Sequence, residues 1–179
     1  MRPVRKLETM NLIETARLQL RELRPGDASF ILQLLNEDGF VRFIGDKGVR
    51  SLSDARDYIL QGPVASYAEH GFGLYLTSLR DGPPIGMCGL VKRDTLPDPD
   101  VGFAFLERYW SKGYGAESAT AVLEYGHRCL GLRRIVAITA PDNHGSIALL
   151  NKIGLRFERR INLPPGREVN LFGPAVGRA

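Results

Sequence analysis

Apolar residues recur along this chain with two periods, near 2 and near 3.6, and the switches between them predict its elements. Leu18, Leu20 and Leu23 alternate approximately with Arg17, Gln19 and Arg21, which predicts a first strand. After the Pro25-Gly26-Asp27 turn, with Asp27 as N-cap, Phe30, Ile31, Leu34 and Leu35 fall at helical spacing. Residues 38–50 hold three glycines and several charges and read as a loop. Ser51-Leu52-Ser53-Asp54 is a capping signal for a second helix, with Ala55, Tyr58 and Ile59 inward, which Gly62-Pro63 interrupts or kinks.

Strands are predicted over 73–79 and 85–91, separated by the Asp81-Gly82-Pro83-Pro84 turn. Gly86 and Gly89 mark a bulge or a close backbone approach. A proline-containing loop over 94–100 leads to a strand at 101–106. A helix from about 114 to 130 turns one face of Ala116, Ala119, Val122, Leu123, Gly126 and Leu130 inward, and Gly131 stops it. A short buried strand at 135–139 and a helix carrying Ile147, Leu149, Leu150 and Ile153 follow. Strands over 155–161 and 168–172 close the chain around a turn at 162–167.

The order is β, α, α, β, β, β, α, β, α, β, β, a mixed α/β sheet domain. A chain of 179 residues suits one domain, here 13–173, with an N-terminal tail over 1–12 and a C-terminal tail over 174–179. Residues 1–9 are basic and unpatterned, and Met10 is an alternative start. The formal charge of +4 suits a polyanionic cofactor and is too small and dispersed to argue for nucleic acid. No apolar run reaches membrane-spanning length and no signal-peptide core is visible, so no membrane partner and a cytoplasmic location are expected. Cys88 and Cys129 lie in apolar surroundings without metal-ligand spacing, which reads as two buried thiols and no metal site.

The stretch that changes this picture is Trp110-Ser111-Lys112-Gly113-Tyr114-Gly115-Ala116-Glu117. It lies between the strand at 101–106 and the alanine-rich helix. The first-turn N–H groups of a helix have no intrahelical partner, and the helix dipole adds positive potential there. Glycine lets an anion approach the backbone, so the stretch reads as a pyrophosphate cradle with Lys112 as a mobile charge beside it. A tight strand-to-helix turn explains the same residues without a ligand. The P-loop pattern is absent, and Ser118 stands where the dinucleotide fingerprint needs its third glycine.

The stretch resembles the acetyl-CoA-binding segment of the GNAT N-acetyltransferases, in particular the branch of the RimJ and RimL ribosomal-protein N-terminal acetyltransferases. The opening Glu-Thr-Ala-Arg-Leu-Gln-Leu-Arg, residues 14–21, is similar to the first-strand signature of that branch. The run Asn143-x-x-Ser146-x-x-Leu149-Leu150-x-Lys152-x-Gly154-Leu155 resembles the helix along the other side of the cofactor. The resemblance covers residues 13–173. It implies the GNAT fold: a mixed, mostly antiparallel sheet flanked by helices, with a splayed central pair of parallel strands. It implies acetyl-CoA as cosubstrate and an amine acceptor, either a protein N-terminus or a small molecule, with a homodimer possible.

The resemblance also implies site residues. Ser111, Lys112, Gly113, Tyr114, Gly115 and Ala116 would hold the pyrophosphate. Backbone groups of Phe105 and Leu106 would pair with the pantetheine arm like an added strand, though both residues equally suit a buried core. Asn143, Ser146 and Lys152 would line the cofactor, and Asn143 and Ser146 also read as ordinary helix caps. Many members have a tyrosine at the position of Leu150 that protonates the departing thiolate. Leucine cannot donate a proton, which leaves Ser146 or a water. Asp100 stands where related enzymes place an acidic residue near the acceptor amine, and a solvated loop carboxylate is its other reading. Direct attack in a ternary complex is expected, because neither cysteine has an activated setting. The acceptor pocket would form from residues 38–50, the second helix and the turn at 162–167. Competing readings are an acetyltransferase of polyamines, amino acids or aminoglycosides, a non-catalytic acyl-CoA-binding module, and a nucleotide-binding α/β protein.

Overall fold

The computed structural model describes residues 12–175. Two sheets carry the architecture. The first is an antiparallel meander of five strands in sequence order: β1 (Ile13–Glu14), β2 (Leu18–Glu22), β3 (Leu74–Leu79), β4 (Pro84–Val91) and β5 (Asp100–Phe105). The second has three strands in the order β6-β8-β7, from β6 (Ala137–Thr139), β7 (Leu155–Leu163) and β8 (Arg167–Pro174). Between β2 and β3 come α1 (Ala28–Leu35), α2 (Asp38–Phe43), α3 (Leu52–Ile59), a π-helical turn at Leu60–Val64 and α4 (Ala65–His70). The helix α5 (Tyr114–Arg128) joins β5 to β6, and α6 (His144–Lys152) joins β6 to β7.

The alternation of side chains along β5 divides the interior in two. Val101 and Phe105 pack with Ala119 and Val122 of α5 and Leu150 of α6. Ala104 and Leu106 pack on the opposite face with Ile31 and Leu34 of α1 and Ala55 and Ile59 of α3. The helices α5 and α6 and the α1–α3 layer therefore sit on opposite faces of the same strand.

The sheets meet at one end. Asp100 and Val136 form a parallel bridge, with Val101 N–H donating to Val136 O at 2.8 Å and Val136 N–H to Pro99 O at 3.0 Å. Among the described residues no further bond joins β5 to β6, so beyond this apex the two strands part. Arg134 ties the apex from outside, with Asp98 at 3.0 Å and Glu158 of β7 at 2.6 Å. Leu96, Val136 and Leu171 fill it with a small apolar cluster. The splayed pair of parallel strands expected from sequence is present.

Local expectations fared unevenly. Ser51 caps α3 as predicted, accepting from Asp54 N–H at 3.1 Å, and the Asp54 carboxylate accepts from Ser51 N–H at 2.9 Å. Gly62-Pro63 does interrupt the second helix, inside the π-helical turn. Asp27 makes no side-chain cap on α1, because Arg21 holds its carboxylate at 2.8 and 2.9 Å. Gly89 marks a close backbone approach, since a Cβ there would lie 2.0 Å from Gly73 O. Cys88 is buried, but Cys129 is exposed at the C-cap of α5, which corrects the expectation of two buried thiols.

The segment 38–50 is not a plain loop, because α2 opens it. Its helicity is enforced by neighbours. Gly39 N–H donates to Glu107 Oε1 at 2.7 Å, Glu107 N–H to Glu37 Oε2 at 2.6 Å, and a Cβ on Gly39 would lie 2.3 Å from the Trp110 ring. A six-residue helix with one large buried side chain, Phe40, gives no periodic signal.

Candidate active site

The predicted cradle is a helix start with an unusual entrance. Ser111 and Gly113 both adopt positive φ, 59° and 83°, and Gly113 is the N-cap of α5 without a side-chain cap. The chain thus turns so that the first-turn N–H groups of Tyr114, Gly115 and Ala116 face outward with no intrahelical acceptor, while Glu117 N–H bonds Gly113 O at 3.0 Å. Gly115 is small for packing: a Cβ there would lie 2.6 Å from Leu149 Cδ1, which lets α6 approach α5 at the cradle. Ser118, at the missing third glycine, is fully buried and its hydroxyl donates to Gly115 O at 3.1 Å.

The cradle is braced by residues that sequence reasoning assigned only to a strand. Arg17 donates from Nη1 to Lys112 O at 3.0 Å, from Nε to Glu117 Oε2 at 2.6 Å, and lies 4.5 Å over the Tyr114 ring. Arg17 N–H and the Thr15 hydroxyl also donate to Glu117 Oε1, at 2.9 and 2.6 Å. Desolvation pushes the Glu117 carboxyl up, and the hydrogen bonds from Thr15 and Arg17 outweigh it, so its pKa ends below the ordinary value. Thr15 and Arg17 lie inside the residue 14–21 signature, which was the available signal. A groove of about 550 Å³ borders this brace, lined among others by Gly113, Ala116, Thr120 and Lys152.

Between the parted strands, the parity of β5 decides which backbone groups are available. In an antiparallel pair, alternate residues point both N–H and C=O toward the partner. Leu106 N–H donates to Ile85 O of β4 at 2.9 Å, whereas Val101 N–H turns to β6. Phe103 and Phe105 share the parity of Val101 and so face the gap. Trp110 Nε1–H donates to Phe105 O at 2.8 Å, which leaves Phe103 N–H, Phe103 C=O and Phe105 N–H toward the cleft. The expectation for Leu106 is corrected: its N–H goes to Ile85 and its C=O accepts from Tyr109 N–H at 2.9 Å. Gly102 and Phe103, mid-strand in an otherwise buried β5, are half-exposed.

On the far side of the gap, Asn143 Oδ1 accepts from Ser146 N–H at 3.1 Å and caps α6. Ser146 is half-buried, and its hydroxyl has no hydrogen-bond partner among the described residues. Leu150 is 1% exposed and belongs to the core. Lys152, at the other end of α6, lies on the groove behind the cradle and away from Ser146.

Asp100 lies at the apex on the α1–α3 face. It is 1% exposed, and Arg93 Nε–H and Nη2–H donate to its two carboxylate oxygens at 2.8 and 3.4 Å. Burial raises its pKa, opposed by Arg93 and Lys92. It is not the solvated loop carboxylate of the alternative reading. Tyr58 of α3 is near Arg93, and burial pushes its phenol up to about 12.

Comparison with known proteins decides the family. The sequence model of the acetyltransferase (GNAT) domain matches residues 17–156. The chain belongs to the GNAT family. It is an acyl-CoA-dependent N-acetyltransferase. The uncharacterized N-acetyltransferase YoaA of Bacillus subtilis (strain 168) is 30% identical over 151 residues, covering 82% of this chain and 84% of that one. An acetyltransferase from Agrobacterium tumefaciens str. C58 has the same fold, with a TM-score of 0.77 at 22% identity over 97% of this chain and 98% of that one. So does RimL, a ribosomal L7/L12 alpha-N-protein acetyltransferase solved in complex with coenzyme A, with a TM-score of 0.79 at 17% identity over 92% of this chain and 97% of that one. GNAT enzymes use acetyl-CoA and act on amine acceptors. The described residues contain no metal-ligand cluster and no helix long and apolar enough to cross a membrane.

Proposed function

We propose that this GNAT enzyme acetylates the α-amine of a protein or peptide N-terminus by direct attack in a ternary complex. The observation that carries the ternary-complex geometry is the apex bridge between β5 and β6, with the cradle beyond the far end of β5. The strand between them has six residues, a span of about 20 Å, which suits an extended arm laid along its free backbone groups.

Cofactor-side residues bind and orient. The N–H groups of Tyr114, Gly115 and Ala116 hold the pyrophosphate in the field of α5, and Lys112 adds its charge. Phe103 C=O and Phe105 N–H pair with the pantetheine amides, in place of the Phe105–Leu106 pair expected from sequence. Asn143 fixes the first turn of α6 and so the position of Ser146. Phe103 N–H, the free donor nearer the apex, steadies the developing oxyanion.

The amine nitrogen forms a C–N bond to the acetyl carbonyl carbon as the C–S bond breaks. Ser146 gives its hydroxyl proton to the departing thiolate and regains one from solvent. Leu150 cannot do this, and its burial leaves no room for a substitute donor. One ammonium proton leaves through water before attack, and a second leaves the nitrogen through water as the amide forms. Asp100 is assigned as the anchor of Arg93, because its lone pairs are directed at the guanidinium. This is a positioning role, in place of the base expected from sequence.

The acceptor enters over the α1–α3 face, past α2, the 44–49 turn and the hairpin between β7 and β8. Arg167 holds two of these together, donating to Ile44 O at 2.6 Å and to Phe43 O. A CoA-release screen of peptides with varied N-termini beside small amines tests the reading. Turnover of peptides well above that of small amines is expected. Turnover of small amines alone would overturn the acceptor class.

A further inference from the structure

The helix α2 reaches across the gap between β5 and β6. Its first turn is tied to the chain just past β5. Gly39 N–H donates to Glu107 Oε1 at 2.7 Å, Glu107 N–H donates to Glu37 Oε2 at 2.6 Å, and Gly39 lies against the Trp110 ring. Its last turn is tied to the other sheet. Arg167, the first residue of β8, donates from Nη1 to Ile44 O at 2.6 Å and from Nη2 to Phe43 O. Arg42 also faces Asp142, in the turn that follows β6, at 3.7 Å.

Both anchorages lie at the end of the gap remote from the apex. Thr139, the last residue of β6, pairs with Asn170, and Arg167 lies beyond Asn170 on the side away from the apex. Glu107 and Trp110 likewise lie past the end of β5. Phe40 shares a core cluster with Ala104 and Leu106, which places α2 on the α1–α3 face. The dimensions agree. Six helical residues rise about 9 Å, and two strands with room for a third between them stand about 10 Å apart. On that face the gap is therefore a framed window. Strands β5 and β6 are its sides, the Asp100–Val136 bridge closes one end and α2 closes the other.

The two ends of α2 are held differently. The first turn has the buried Phe40, two short hydrogen bonds and the Trp110 ring. The last turn rests on one exposed side chain, Arg167. A guanidinium on the final carbonyls of a helix makes charge-assisted bonds and complements the helix dipole. The Arg42–Asp142 pair is exposed on both sides and adds little. We infer, on the acceptor face assigned above, that Arg167 determines acceptor specificity. By stapling the end of α2 to β8 it fixes the size of the window, which admits an amine on a slender chain end and turns away one flanked by a broad group.

Two pairs of acceptors, compared by CoA release, test this. One pair is two peptides alike except for Ala or Trp as first residue. The other is an unbranched alkylamine and an aminomethyl group borne on a cyclohexane ring. The slender member should lead by about tenfold in kcat/KM in a pair that is turned over. Arg167→Ala should cut that lead to about threefold by raising the broad member, and Arg167→Lys should keep most of it. Amide hydrogen exchange gives an arm that needs no turnover. The amides of Ile44 and Gly45 donate to Phe40 O at 2.9 and 3.2 Å. Their exchange should quicken about tenfold in Arg167→Ala while that of Gly39 holds, and unchanged exchange in β3 and β4 shows that the variant is folded.

A lead that survives Arg167→Ala intact, or no lead in either pair for the unaltered protein, would overturn the inference. Faster exchange without any change in the lead would do the same, since the staple would then be structural only. A lead that responds to Arg167→Ala among the small amines, with no peptide turnover, would support the window while removing the proposed acceptor class.

Discussion

Asp100 and Val136 are the pair at which the two sheets touch, and one residue on, Val101 N–H to Val136 O at 2.8 Å is the last bond before β5 and β6 part. The cleft follows from that separation. Its floor is β5 beyond Val101, where Phe103 N–H and C=O and Phe105 N–H have no backbone partner, with α5 and α6 on one face of the strand and α1 and α3 on the other.

Arg17 links this cleft to the start of the chain. Arg17→Ala removes the donor to Lys112 O, the partner of Glu117 and the cover over Tyr114. Acetyl-CoA affinity should fall about tenfold, because the cradle is no longer held in shape, with little change in the fold. Calorimetry with acetyl-CoA checks this. Unchanged affinity would reduce Arg17 to a surface ion pair.

Glu117 gives a pH signature. Its folded pKa is lowered, so its stabilisation is present above the ordinary value of 4.5 and is lost as the pH falls through the depressed folded value. Glu117→Gln should cost about 1–2 kcal/mol at neutral pH. The gap between variant and wild type should narrow as the pH drops below about 4.5, approaching the folded value. Denaturant unfolding at several pH values measures it, and a gap independent of pH would contradict the assignment.

Ser146→Ala tests the proton donor. Turnover should fall about tenfold to a hundredfold while acetyl-CoA affinity holds, since the cap on α6 comes from Asn143 and not from the serine hydroxyl. Unchanged turnover would hand the step to water.

Asp100→Asn separates the two roles open to a carboxylate at the apex. Arg93 would lose its partner beside a buried site, and stability should fall by about 2 kcal/mol, less than for a fully buried pair because Arg93 reaches solvent. If Asp100 acts through Arg93, the pH–rate profiles of kcat stay parallel and the acceptor KM rises. A kcat that falls at neutral pH and recovers at high pH would restore Asp100 as the base.

Much of this site was legible in the sequence, for identifiable reasons. The helix start at Gly113 was readable because a glycine at positive φ before a helix leaves a local mark. The Ser51 cap was readable because the serine and Asp54 three residues on form a local capping signal. Leu106 and Phe105 were harder, because the sequence does not show which parity of a strand faces a gap. That depends on where the partner strand departs. The helix α2 was missed because Trp110 and Glu107, far along the chain, enforce it. The Asp27 cap failed because Arg21 competes for the same carboxylate at close range. Arg17 and Thr15 were visible only as strand residues, since their brace exists only once Glu117 is brought beside them.

The central claim is that acetyl-CoA lies in the gap between β5 and β6 with its phosphates on the start of α5. Residue-resolved amide hydrogen exchange, with and without acetyl-CoA, measures this directly. The account predicts new protection at the amides of Phe103, Phe105, Tyr114, Gly115 and Ala116. It predicts none at Val101 and Leu106, which already donate to Val136 and Ile85. Protection that leaves Phe103 and Phe105 unchanged, or that appears at Leu106 instead, would contradict it.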